Sequence, residues 1–278
     1  MTPRRTLFAM VLALEIARNV AAAEVTSSLD YGYRLMYGLD FASAGRVFLG
    51  WRAEHPRDPL APMSMAANLL FSELHRSGVL QAQFFVDDRS FTASRPSAPP
   101  PDLRVRFDSA VAEAEAVARA RLGENPRDPD ALFALAMASG LRADFAALVE
   151  GRNVAALSYT REATRVARTL IEVAPDYADA YLATGISQFI VGSLIAPMRW
   201  ALRLAGFEGD KHKGMQELRR TAAAGRFLGP FARILLAIAC LREHDTIRAR
   251  ELLVGLERDF PSNPLFAREL QRIASKAN

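Results

Sequence analysis

A chain of 278 residues allows one or two domains. Half its residues are apolar and 24% are charged, which excludes intrinsic disorder, collagen and a polytopic membrane protein. The single cysteine, Cys240, excludes an internal disulfide and any cysteine-cluster metal site, and a net charge of +4 gives no support for nucleic-acid binding.

The N-terminus reads as an export signal. Arg4 and Arg5 form a short basic stretch, and Thr6 to Leu14 is an uncharged, mostly apolar run. Ala21-Ala22-Ala23 then supplies the small residues that a signal peptidase requires. So short a run cannot cross a hydrocarbon core of about 30 Å as a helix. Residues 1–23 are therefore expected to be a signal peptide cleaved near Ala23, leaving 24–278 as an exported, periplasmic helical domain. Those first 23 residues carry three arginines and one glutamate, so their removal lowers the charge from +4 to +2. Glu15 and Arg18 keep open the alternative of an amphipathic first helix.

Further along, four turns share one shape: His55-Pro56-Arg57-Asp58-Pro59, Asn125-Pro126-Arg127-Asp128-Pro129, Ala174-Pro175-Asp176-Tyr177-Ala178 and Phe260-Pro261-Ser262-Asn263-Pro264. Proline ends the preceding helix, and a nearby Asp or Asn can cap the next. The segments Asp108 to Leu122, Ala163 to Val173 and Ile247 to Arg258 are rich in helix formers, with apolar residues at three- and four-residue spacing. No strand-like alternation competes, so the fold class is all-α. Twelve residues before each first proline stands an alanine: Ala44, Ala114, Ala163 and Ala249. Ten residues after three of these prolines stand Ala66, Ala136 and Gly185, and 24 before Pro56 and Pro261 stand Gly32 and Ala237. Small residues at fixed phases are what closely crossing helices need.

These phases resemble the 34-residue tetratricopeptide repeat (TPR), a helix–turn–helix unit with small residues and a terminal proline at set positions. The best copies run from Val25 to Asp58 and from Pro230 to Asn263. Asp40 to Ala44 and Asp245 to Ala249 read as the turns that open second helices, with Asp210 to Gly214 a looser version. The resemblance implies a right-handed α-α superhelix of about five TPR-like helix pairs. Its last helix, Pro264 to Ser275, is expected to cap the stack.

Two insertions interrupt the repeat, at about 76–104 and 192–209. The first holds Phe84-Phe85, Asp87-Asp88 and a proline cluster at 96–101 that cannot be helical. In the second, Pro197 can start a short helix and Gly206 end it. Arg199 and Arg203 share one face of that helix, beside Trp200. The stretch from Pro197 to Lys211 is similar to an insert in some bacterial exported TPR proteins of unassigned role, and faintly similar to the eukaryotic tetratricopeptide repeat protein 39 family. Neither likeness carries an activity.

Catalytic, cofactor and metal motifs are lacking: there is no H-E-x-x-H, G-x-S-x-G, P-loop or dinucleotide fingerprint. Glu54-His55 and Glu243-His244-Asp245 fall in interhelical turns, where charged residues are ordinarily solvated. In TPR arrays the first helix of each pair lines a concave face. Here its inward positions include Tyr33, Met36, Met63, Phe133 and Phe189, with none of the Lys, Arg or Asn that grip a peptide carboxylate. Either the inserts and the capping helix fill this apolar face, or it receives an apolar partner. Trp200, Arg199 and Arg203 are a further candidate contact, the alternative being that Trp200 packs back onto the stack. The expected function is an exported, non-enzymatic scaffold that contacts a protein or peptide partner in the bacterial envelope. The alternatives are a membrane-surface or apolar-ligand-binding repeat protein, and an accessory domain of an envelope-modifying enzyme complex.

Overall fold

The computed structural model describes residues 29–80, 98–194, 206 and 209–277. Among them are eleven α-helices and no strand. Helix α1 (Leu29–Tyr37) packs on α2 (Phe41–Glu54), α3 (Leu60–Arg76) on α4 (Leu103–Glu124), and α5 (Pro129–Asp144) on α6 (Asn153–Val173). Helix α7 (Tyr181–Ser193) packs on α8 (Lys211–Ala224) and α9 (Gly229–Arg242) on α10 (Thr246–Asp259), with α11 (Pro264–Ala277) against α10. The odd-numbered helices α1, α3 and α5 also touch one another in turn, forming an inner layer. The expected signal peptide and most of both expected insertions lie outside the described residues.

Aspartates set the helix starts. Asp40, Asp128, Asp210 and Asp245 each accept a hydrogen bond at 3.0–3.1 Å from the backbone N–H three residues on, opening α2, α5, α8 and α10. Asp58 and Asn263 do the same for the N–H two residues on, at 2.9 and 3.0 Å, where α3 and α11 begin. The third proline turn has Tyr177 at the equivalent place, which supplies no such acceptor. There a 3₁₀ turn at Ala178–Ala180 leads into α7 instead.

The small residues lie where helices cross. Ala44, Ala66, Ala114, Ala237 and Ala249 are completely buried, and a Cβ on Gly32 would overlap the Phe48 ring. A Cβ on Gly214 would run into the Phe189 backbone, which fixes how closely α8 approaches α7.

The first described helix meets turns from the last third of the chain. The Tyr37 hydroxyl donates to the Phe227 carbonyl at 2.9 Å, and Asn263 Nδ2 donates to the Tyr37 carbonyl at 2.9 Å. Ser262 Oγ donates to the Gly38 carbonyl, and Arg226 pairs with Asp30. Helix α1 is thereby held by the turns before α9 and before α11. Aromatic packing completes the closure. Phe227 lies 4.9 Å from Tyr33 and 6.2 Å from Phe133 between ring centroids, and Phe71 meets Phe231 edge-on at 5.5 Å. The inner layer thus packs its inward aromatic side chains against one another.

Helix α5 continues through a π-helical turn, Phe145–Val149. The run Pro129–Val149 is long and apolar enough to cross a membrane, and more than half of its most apolar window is buried in the fold. Its length and hydropathy are those of a central core helix.

Candidate functional site

Four of the expected contact residues are spent on packing. Tyr33, Met36, Met63 and Phe133 are all at most 5% exposed. Tyr33 touches Phe48, Tyr37 and Phe227, and its hydroxyl accepts from Ser64 Oγ at 3.2 Å. An inward apolar position reads the same in sequence whether it faces a groove or a core. Closure of the inner layer decides for core at Tyr33, Met36 and Met63, while Phe133 packs on Phe227 and also lines a cavity between α5, α6 and α7. Phe189 is half-buried near the end of α7, against α8. Arg199, Trp200 and Arg203 lie outside the described residues, as do Phe84-Phe85 and Asp87-Asp88.

The acid–base pairs have structural roles. His55 stacks on Trp51 at 3.8 Å, and the Trp51 indole N–H donates to Asp58 at 2.7 Å. His244 is exposed in a left-handed turn (φ 60°), and Asp245 beside it caps α10. Among the described residues no three His, Cys, Asp or Glu side chains converge as a metal site would require. Cys240 is buried, and its surroundings push its thiol pKa up, chiefly by desolvation.

Among the described residues, two depressions are candidates for a site. One, of about 330 Å³, lies between α8, α9 and α10. Lys211 there pairs with Glu243 and Arg248 with Asp245, so its cations are largely compensated. The other is an apolar cavity of about 130 Å³ bounded by α5, α6 and α7. Phe133, Met137 and Leu141 of α5, with Leu182 and Ile186 of α7, make its walls, and Phe71 and Phe231 close it from α3 and α9. Ala163 and Ala167 of α6 keep the opposite wall shallow. Gly140 deepens it further, because a Cβ built there meets nothing within 4 Å.

The polar groups of this cavity are few. Thr160 Oγ1 donates to the Ala156 carbonyl at 2.9 Å and Thr164 Oγ1 to the Thr160 carbonyl at 2.8 Å. Asp179 is buried and accepts three backbone N–H bonds, from Arg226, Phe227 and Leu228, at 3.0, 3.2 and 2.9 Å. Burial pushes its carboxyl pKa up while those bonds pull it back. Asp144 differs: it is half-buried at the junction of α5 with the π turn, and has no hydrogen-bond or ion-pair partner among the described residues. Desolvation pushes its carboxyl pKa up to about 7. The π turn buries Phe145 and Ala146 immediately after it, and such turns recur at functional sites.

Sequence reasoning missed Asp144. The available signal was a lone acid inside the apolar run from Leu132 to Val149. No family model and no curated protein matches the chain.

Proposed function

We propose that this chain is an exported, non-enzymatic TPR-like helical repeat protein of the bacterial envelope that binds a small apolar group in the cavity between α5, α6 and α7. The observation that carries this reading is the cavity itself, a space lined mostly by aromatic and aliphatic side chains with a few convergent polar groups. A wall so apolar suits retention of a ligand better than stabilisation of charge developing in a reaction. The TPR-like reading is supported by the paired helices and by buried alanines at the repeat's fixed offsets. Export is supported by the Arg4-Arg5, Thr6 to Leu14 and Ala21 to Ala23 pattern. Titration of the full chain with benzyl alcohol tests the binding reading, since a void of this size accepts a benzene ring. Saturable one-to-one binding is expected, and its loss in Gly140→Leu, whose unfolding midpoint should hold. Absence of binding, or binding indifferent to Gly140→Leu, overturns the reading.

A second reading, contact with a protein partner, rests on the outer helices. Val105 on α4, Val154 on α6 and Ile247 on α10 are 70–85% exposed. These are scattered single residues, and a patch would be needed to make them an interface.

A further inference from the structure

Every polar side chain on the cavity wall presents an acceptor. The hydroxyl hydrogens of Thr160 and Thr164 are directed to helix carbonyls, which leaves oxygen lone pairs toward the space. Asp179 and Asp144 are carboxyl groups, and among the described residues no Lys, Arg, His, Asn or Gln lines the cavity. The other acids nearby on α4 and after α5 are already neutralised. Glu115 pairs with Arg119 and Arg142, and Glu150 pairs with Arg104 and Arg152. Asp179 is satisfied by its three backbone donors. Among the described residues, Asp144 is the acid that faces the apolar wall without a counter-charge.

We propose that the ligand joins a ring-sized apolar body to an ammonium head, and that Asp144 is the counter-ion that receives the head. The inference rests on the cavity being the binding site. Three ligand chemistries could enter an apolar space, and the wall distinguishes them. A carboxylate ligand would bring a second negative charge beside Asp144 and would find no side-chain donor. A neutral ligand would bury the ring but leave Asp144 unpaired at a desolvated surface, which is costly. An ammonium supplies three donors where three acceptor-bearing side chains, Asp144, Thr160 and Thr164, have none. Its charge also favours the ionised carboxylate that desolvation otherwise suppresses. The volume limits the body to about one aromatic ring or a short alkyl chain. Aromatic walls at Phe71, Phe133 and Phe231 suit such a body.

Benzylamine, benzyl alcohol and benzoate share one ring and differ in the head, so titrating all three into the full chain separates the site from its selectivity. At a pH of about 8, benzylammonium should bind about ten-fold or more tightly than benzyl alcohol, as a charge-assisted hydrogen bond implies. Benzoate should not bind. Asp144→Asn should reduce benzylammonium to the level of benzyl alcohol and leave the alcohol unchanged, which also shows that the variant is folded around an intact cavity. Equal binding of amine and alcohol to the native chain, or an amine affinity unaffected by Asp144→Asn, overturns the proposed counter-ion while leaving the apolar site standing. If none of the three binds, the cavity reading and the counter-ion fall together.

Discussion

Asp144 holds its proton more tightly in the folded chain than in the unfolded one, because its carboxyl pKa rises from 3.8 to about 7. Between those values the native state binds more protons than the unfolded state, so this residue's contribution to stability falls as pH rises. The contribution is least unfavourable below about pH 4, and its full cost is present above about pH 7. Asp144→Asn removes the titration. The variant should therefore melt above the native protein at about pH 8, by about 1–3 kcal/mol once residual solvation is allowed for, and the gap should close toward about pH 4. Asp179 is shifted in the same direction but is common to both proteins, so it cancels in the difference. A gap that does not change with pH would sink the assignment. The sequence marks Asp144 only as a lone acid inside the apolar run from Leu132 to Val149, and its desolvation comes from tertiary burial that no local pattern encodes. Ala44 and Ala249, by contrast, stand at a constant offset from a helix-ending proline, and both are fully buried as that offset implies.

The turn between α8 and α9 depends on a side chain from another element. Asp179 accepts from three successive N–H groups at 226–228, so the turn leading into α9 is held from the 3₁₀ turn before α7. A Cβ at Gly225 would collide with that same carboxylate, which explains the glycine. Asp179→Ala should strand those donors and cost about 2–4 kcal/mol. Urea unfolding is the measurement, with a lowered midpoint at unchanged slope expected. A midpoint that stays put would show that water replaces the carboxylate. Local caps were legible before any coordinates, because Asp40, Asp210 and Asp245 bond within three residues of themselves. The bonds to Asp179 were not, since 47 or more residues separate it from its donors. Leu39 and His244 were equally hidden: both adopt left-handed backbone, at φ 66° and 60°, before the capping aspartates of α2 and α10. Leucine does not advertise that conformation, and the modest enrichment of histidine there does not single out His244 among the chain's histidines.

At the scale of the molecule, the latch between α1 and the turns at 226–228 and 260–263 separates this chain from an open repeat array. Open arrays fray from their ends, because each terminal repeat has one neighbour. Here the first helix is held from two sides by Tyr37, Asn263 and Arg226. Amide hydrogen exchange should find α1 protected to the same degree as α5, with both opening in the global transition. Much faster exchange in α1 would show that the latch adds little. Periodicity predicts helices and their pairing, and both are present. It is silent on closure, because Tyr33 and Phe133 carry the same inward pattern whether the layer ends in a groove or meets Phe227.

The latch also orders events in time. Asn263 and Ser262 supply its last bonds, so α1 waits for the more than two hundred residues up to 263 to be synthesised before its partners exist. Contacts spanning more than two hundred residues carry a high loop-closure entropy and form late, after neighbouring helix pairs have assembled. Until then Tyr33 and Tyr37 have no Phe227 or Phe260 to cover them. A growing chain therefore carries an unfinished, sticky leading end. If the chain is exported as proposed, threading through a membrane pore needs it extended, and that delay becomes an asset.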